Sequence, residues 1–441
     1  MAGLALIARE QGYDIHGSDQ AIYPPISTLL ADQHIRVIEG YRPESILPGT
    51  DLCVIGNALS RGNALIEHVL GARIPYISGP GWLREHLIPH KRVLAVAGTH
   101  GKTTTSSIAA FIMDRCGYQP GFLIGGVPGN FPVSARAGTG EWFVVEADEY
   151  DSAFFDKRSK FLHYRPDVLI LANLEFDHAD IFDSLADIER QFQYLLRSVP
   201  PDGTILVNAD HPGLAALVQR GCWSTVTYYG SREDQSGWQA KALSVDCRDF
   251  EVRKDSQTIA SVSWRAIGHH NMLNALAAIA ACDAAGVDPI RACACLRDFQ
   301  LPKRRLERVN PDASIALFDD FAHHPTAIRE TLNTLRLASP SGKLIAVIEP
   351  RSNTMKRGAQ KQDLAQALSG SDIAVVRNRS DLNWDPRTLA LHSDQTRLIV
   401  EDSVEEIAQT VSTLAQPGDQ IVLMSNGSFD GLKDLLLDRL R

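Results

Sequence analysis

Short apolar runs alternate with helical patterns along almost the whole chain, and no other feature constrains its fold as tightly. "RVLAVA" (92–97), "WFVVE" (142–146), "DVLILAN" (167–173) and "TILVN" (204–208) are continuous apolar runs of strand length. Such runs suit strands buried on both faces. Between the first two, "TTTSSIAAFIMDRCG" (103–117) predicts a helix stopped by glycine. A second series begins near residue 314 with "SIALFDD", "KLIAVIEP", "DIAVVRN", "RLIV" and "DQIVLMS". A third, "YDIHGSD", "IRVIEG", "DLCVIGN" and "IPYIS", fills the first ninety residues. Strands alternating with helices imply mainly parallel, doubly wound sheets. A length of 441 residues exceeds what one core supports. The expectation is an α/β chain of three domains: 1–90, 91–301 and 302–441. "SGPGW" (78–82), "IPHK" (88–91) and "LPKRR" (301–305) read as linkers.

Composition excludes several classes. A net charge of −9 argues against non-specific nucleic-acid binding, while leaving room for local basic sites. Seven scattered cysteines fit reduced thiols in a cytoplasmic protein. No apolar run reaches the ~18 residues of a membrane span, and "MAGLALIAREQG" turns polar too soon for a signal peptide.

"AVAGTHGKTTTSS" (95–107) looks like a phosphate loop, but Val96 stands where the usual pattern has glycine. The loop Gly98-Thr99-His100-Gly101 joins an apolar run to a helical pattern. Small residues there let backbone N–H groups face a phosphate at a helix N-terminus. Lys102 can reach β- and γ-phosphates, and the Thr103 hydroxyl can hold Mg²⁺. "FVVEADEYD" ends a run in Glu146, Asp148, Glu149 and Asp151; "LANLEFDHADIF" ends another in Asn173, Glu175, Asp177 and His178. These are metal-binding candidates: the first could simply be a solvated acidic loop, but its place at the end of a buried run favours metal binding. "GHHNMLNALAAIAA" sets Asn271 and Asn274 on one helix face beside His270. They could read an adenine edge or simply cap the helix. "LPKRRLERV" offers Arg304 or Arg305 as a phosphate clamp, or a solvated basic face. "FDDFAHHPTAI" and "IEPRSNTMKRG" place Asp319, Asp320, His323, His324 and Arg351, Ser352, Asn353, Lys356 at further strand ends. Ligands of open α/β sheets bind outside such ends, so the clusters point at one shared cleft.

"GTHGKTTT", "EADEYD", "NLEFDHADIF", "GHHNMLNA" and "DDFAHHPTAI" occur in the order and spacing of the Mur ligases. The resemblance to these ATP-dependent amino-acid and peptide ligases covers essentially the whole chain. It implies that family's three-domain architecture, with a P-loop-type central ATP-binding domain between two Rossmann-like domains. It implies ATP and Mg²⁺ as cofactors. Gly98, Thr99, His100, Gly101, Lys102 and Thr103 would cradle the phosphates, and Thr103 and Glu146 would bind one Mg²⁺, with His178 near a second. His270, Asn271 and Asn274 would lie at the adenine; Arg305, Asp320 and His324 would line the γ-phosphate and acyl-phosphate site. Lys102, His178 and Arg305 would carry the catalysis. Ser18, Asp19 and Asn57 fall in the family's nucleotide-sugar region, and Arg351, Ser352, Asn353 and Lys356 would lie near the acceptor.

"IGGVPGNFPVSAR", "DSAFFDKRSKFLHYRP", "GCWS" and "EPRSNTMKRG" resemble the family branch that joins UDP-N-acetylmuramate to the murein tripeptide L-Ala-γ-D-Glu-meso-diaminopimelate. The alternative is the branch that adds free L-alanine. Three departures stand out. "DIERQFQYLLRS" (187–198) has no lysine where three sister ligases carry a carbamylated one. Ser428 and Asp430 stand where the family pattern has glycines. The chain opens directly in a helical pattern, without the family's first strand and Gly-rich turn. The last departure implies a misassigned start or a shortened sugar-binding domain, and in the latter case an ATP-binding module without activity is a further alternative.

Overall fold

The computed structural model describes the chain except residues 21, 23–25, 233–235, 340, 394 and 441. Three groups of strands follow the three sequence series. The central sheet has ten strands in the order 257–263, 249–254, 238–242, 225–230, 204–208, 168–171, 92–97, 142–147, 121–123, 135–136. The strand Arg92–Ala97 runs parallel to both of its neighbours, Trp142–Ala147 and Val168–Leu171. That register puts the ends of three apolar runs side by side, so the polar residues that follow them converge.

Burial on both faces explains the unbroken apolar runs. Helices Lys102–Arg115 and His269–Ala284 cover one face, where residues Ala275 to Cys282 are all at most 1% exposed. Small alanines let these two helices approach closely. Helix Leu185–Leu196 covers the other face through Phe192 and Leu195. Leu4, Ile7, Trp82 and Leu83 join the same cluster, so the N-terminal region packs directly on the central sheet.

Two expectations need correction. The central sheet itself is mainly parallel, as expected: Trp238–Ala242 still runs parallel to Thr225–Gly230, and only beyond it do Asp249–Lys254 and Gln257–Ser263 extend that edge antiparallel. Their sequences alternate polar and apolar, which suits strands solvated on one face. The first ninety residues form two separate parallel pairs, His16–Asp19 with Arg36–Glu39 and Cys53–Ile55 with Tyr76–Ser78, instead of one sheet. "SGPGW" is no linker. Ser78 caps helix Gly79–His86 by accepting from the Gly81 N–H, with proline in the first turn and Trp82 buried. Proline is favoured there because its missing N–H would have no partner anyway.

The C-terminal sheet has six strands in the order 307–308, 316–320, 420–424, 344–348, 373–377, 397–401. All are parallel except Glu307–Arg308. "LPKRR" is irregular chain, as read from the sequence. None of the seven cysteines is bonded to another. No helix among the described residues is long and apolar enough to cross a membrane.

Candidate active site

The loop Gly98–Gly101 leaves the strand Arg92–Ala97 and enters the helix that begins at Lys102. Gly101 sits at φ 80°, and a Cβ added there would lie 3.0 Å from Asn274 Oδ1. Both facts call for glycine. The next strand end pins the loop. The His100 N–H donates to Asn173 Oδ1 at 2.9 Å, and the Glu175 N–H donates to Thr99 Oγ1 at 2.8 Å. Val96 is simply a buried strand residue, so the missing glycine of the common pattern falls outside the turn.

Lys102 is 7% exposed and donates to the Gly98 carbonyl at 2.6 Å and to Glu149 Oε2 at 2.9 Å. Burial alone would lower its pKa; Glu149, Asp148 and Glu146 outweigh burial and hold it above its usual value. The Thr103 hydroxyl donates to Glu146 Oε1 at 2.9 Å, and Glu146 Oε2 accepts from the Gly125 N–H. Burial, with Asp148 adding to it, pushes Glu146 up. Thr103 and Glu146 thus offer adjoining hard oxygen donors under a desolvation strain that a divalent cation would relieve, which fits Mg²⁺. His178 adopts φ 53° and sets Nε2 3.3 Å from Glu149 Oε1. Burial would lower its pKa, but Glu149 and Asp177 raise it overall. The structure therefore pairs His178 with Glu149, across Lys102, and not with the Thr103–Glu146 pair.

The C-terminal domain closes directly on this loop. Arg305 Nη2 donates to Thr103 Oγ1 at 2.9 Å, and its guanidinium lies 4.9 Å from the Phe321 ring centroid. Asp320 sets the turn after it by accepting the Leu306 and Ala322 N–H groups at 2.9 and 2.7 Å. Burial pushes Asp320 up to about 6. Arg304 points elsewhere, to Asp319 and the Ser425 carbonyl, so Arg305 is the one that meets the loop.

A second link runs through Glu175. His100 Nε2 lies 3.0 Å from Glu175 Oε1, Thr326 Oγ1 donates to Oε2 at 2.6 Å, and His324 Nδ1 is 3.4 Å away. Burial pulls Glu175 up, but His100, Thr326 and His324 outweigh it and hold its carboxyl down at about 2. A depressed acid stabilises the fold above its unfolded pKa of about 4.3, and that stability is lost as pH falls toward the folded value. Glu175→Gln is therefore expected to melt several degrees below the parent at pH 7, with the two curves converging between about pH 4 and pH 2. Melting temperature against pH measures this directly.

The remaining candidates divide. Asn274 rests on Gly101 at the loop, whereas the Asn271 amide donates to the Ile267 carbonyl at 2.7 Å. Gly268, and neither asparagine, is the cap of that helix. His270 is turned toward Glu330, 4.0 Å away, and burial lowers it to about 4. Ser18 donates to the Gly40 carbonyl, Asp19 accepts from Tyr41, and Asn57 is exposed. Ser352 caps helix Asn353–Arg357, and Lys356 pairs with Asp381 at 2.9 Å. Arg351 lies at the carboxyl end of its strand, 4.0 Å from Glu349.

Family models cover nearly all of the chain. The "Mur ligase family, catalytic domain" matches residues 1–91, the "Mur ligase middle domain" residues 96–282 and the "Mur ligase, glutamate ligase domain" residues 304–427. The chain belongs to the Mur ligase family. It is 48% identical, over 441 residues, to the UDP-N-acetylmuramate–L-alanyl-γ-D-glutamyl-meso-2,6-diaminoheptandioate ligase of Escherichia coli strain K12, covering 100% of this chain and 96% of that one. The crystal structure of a murein peptide ligase from Psychrobacter arcticus 273-4 superposes with a TM-score of 0.79 at 41% identity, covering 100% of this chain and 96% of the other. A UDP-N-acetylmuramate–L-alanine ligase of Syntrophomonas wolfei is 31% identical over 388 residues, 85% of this chain and 79% of that one.

Two features of this Mur ligase's site escaped the sequence reading. Lys160 reaches Asp148 Oδ2 at 3.2 Å and the Tyr150 hydroxyl at 3.0 Å, over the Tyr150 ring. Thr354 donates to Asp177 Oδ1 at 2.7 Å and accepts from the Ala179 N–H at 3.2 Å, tying the C-terminal domain to the His178 turn. Lysine in "DKRSK" gave no signal among its neighbouring cations. Thr354 could have been suspected from its place two residues after the strand-end Ser352.

Proposed function

We propose that this Mur ligase joins the lactyl carboxylate of UDP-N-acetylmuramate to the L-Ala amine of L-Ala-γ-D-Glu-meso-diaminopimelate, using ATP, in cytoplasmic recycling of peptidoglycan. The observation that carries the reading is Arg305 of the C-terminal domain donating to Thr103 of the phosphate loop. That contact makes one cleft of two domains, as a reaction between a phosphorylated carboxylate and a separate amine requires. The choice of acceptor rests on the greater identity to the tripeptide ligase than to the alanine ligase.

In this reading the domains divide near 90 and 301, with sugar nucleotide, ATP and peptide held in that order. Backbone N–H groups of Gly98–Thr103 and the Lys102 ammonium hold the phosphates of ATP. Thr103 and Glu146 would hold a Mg²⁺, which would neutralise charge on the transferring phosphoryl group. Arg305 clamps that group from the opposite side as the sugar carboxylate attacks it, displacing ADP and giving an acyl phosphate. The peptide amine then attacks the acyl carbon, and the tetrahedral adduct collapses to amide and inorganic phosphate. Closure of the C-terminal domain on the loop excludes water that would hydrolyse the acyl phosphate.

ADP release with ATP, Mg²⁺ and UDP-N-acetylmuramate tests the reading. The tripeptide is expected to stimulate it and L-alanine not to. Stimulation by L-alanine alone would overturn the choice of acceptor.

A further inference from the structure

A cleft of about 680 Å³ lies on the seam between the first ninety residues and the central region. Strand Tyr76–Ser78 and helix Gly79–His86 form one side of it, and strand Asp156–Ser159 and helix Leu185–Leu196 the other. None of Gly98–Thr103, Glu146, His178 or Arg305 lines it. Its volume is that of a small-molecule site. Three aromatic side chains stand in it largely uncovered: Tyr76 is 39%, Phe155 37% and Tyr194 42% exposed. Tyr76 and Phe155 meet edge to face at 4.8 Å, so one aromatic wall is already assembled. Exposed rings gathered in a concave place mark ligand contact.

The charges of the cleft divide into committed and free. Buried Asp156 accepts from Arg158 at 2.8 and 3.0 Å and from the Ser78 hydroxyl at 3.2 Å. Lys157 pairs with Asp151. Arg84 is exposed on its helix and has no hydrogen bond or ion pair among the described residues. Three cations, Arg84, Lys157 and Arg158, stand against two acids, Glu85 and Asp156, so the cleft favours an anion. His163 is the second unmet group. It is 1% exposed, and its Nε2 lies 2.9 Å from Asp156 Oδ2. Burial lowers its pKa against the pull of Asp156, so the ring is neutral and carries one proton. With that proton on Nε2, facing Asp156, Nδ1 is an acceptor that meets no donor among the described residues. A buried acceptor left unmet calls for a partner.

We infer that this cleft binds a nucleoside monophosphate, at a site separate from the phosphate loop. The base packs on the Tyr76–Phe155 wall and Tyr194, the phosphate pairs with Arg84, and a ribose hydroxyl donates to His163 Nδ1. One ligand thereby supplies cover for the rings, an anion for the free guanidinium and a donor for the buried nitrogen. Stacking on aromatic side chains tolerates any base, so purine and pyrimidine nucleotides both fit. Strand Asp156–Ser159 leads directly into Lys160, which reaches Asp148 beside Lys102. The ligand therefore sits one strand away from the reaction centre and outside it.

Isothermal titration of AMP and of UMP, each into the full chain holding saturating ADP, Mg²⁺ and UDP-N-acetylmuramate, tests this. One further equivalent of each nucleotide is expected to bind. Arg84→Ala and Tyr194→Ala are each expected to weaken that binding about tenfold or more. Both side chains are exposed, so both variants are expected to keep the parental melting temperature and kcat. No further equivalent of either nucleotide, or a further equivalent that both variants bind as the parent does, overturns the proposal. Inorganic phosphate is the control titrant. Binding as tight as that of the nucleotides would reveal an anion site that does not read the base, and would overturn it too.

Discussion

Lys102→Met is expected to lower kcat by about 10³-fold or more, as loss of a principal charge on a transferring phosphoryl group does. It is also expected to destabilise the fold, for a reason specific to this site. Lys102 is buried among Glu149, Asp148 and Glu146, and its removal leaves those carboxylates without compensation. Breaking such a buried pair costs about 3–5 kcal/mol. The two effects separate in the double variant Lys102→Met/Glu149→Gln, which removes the orphaned charge nearest the methionine. Its melting temperature should recover part of the loss while its activity stays at the Lys102→Met level. Recovery of activity along with stability would mean that Lys102 acts only through packing.

Arg305→Ala is expected to lower kcat by about 10²–10³-fold, with a much smaller change in the KM for ATP. The guanidinium touches Thr103 at the loop but is carried by the C-terminal domain, so it contributes when that domain is closed. Arg305→Lys should rescue little. An ammonium lacks the planar fork, and it would lose much of the stacking on Phe321. An Arg305→Ala enzyme with parental kcat would show that the closed contact is structural and that the phosphoryl group is stabilised entirely from the loop side.

The strand series and their strand-end motifs were legible because burial on both faces writes a continuous apolar run, and the chemistry follows where the run stops. Trp142–Ala147 with Glu146 as its penultimate residue and Val168–Leu171 running into Asn173 and Glu175 are cases of this. What stayed hidden depends on pairing across the chain. Glu175 meets His100 at a separation of 75 residues and Thr326 at 151, and neither partner announces the other. The choice of Arg305 over Arg304 is likewise a matter of direction, set by the Asp320 turn and not by residue type. "SGPGW" misled because proline and glycine serve helix starts as well as linkers. Asp430 did show as a departure where the family pattern has glycine, and its positive φ is the conformation that glycine adopts without strain.

In the proposed reaction the sugar carboxylate is activated by ATP and passed to the peptide amine at this cleft. UDP-N-acetylmuramate labelled with ¹⁸O in its lactyl carboxylate tests it in one reaction with ATP, Mg²⁺ and the tripeptide. One ¹⁸O atom is expected in the inorganic phosphate for every amide formed, read by mass spectrometry. Amide formation with the lost ¹⁸O in AMP or water, and none in the inorganic phosphate, would overturn it.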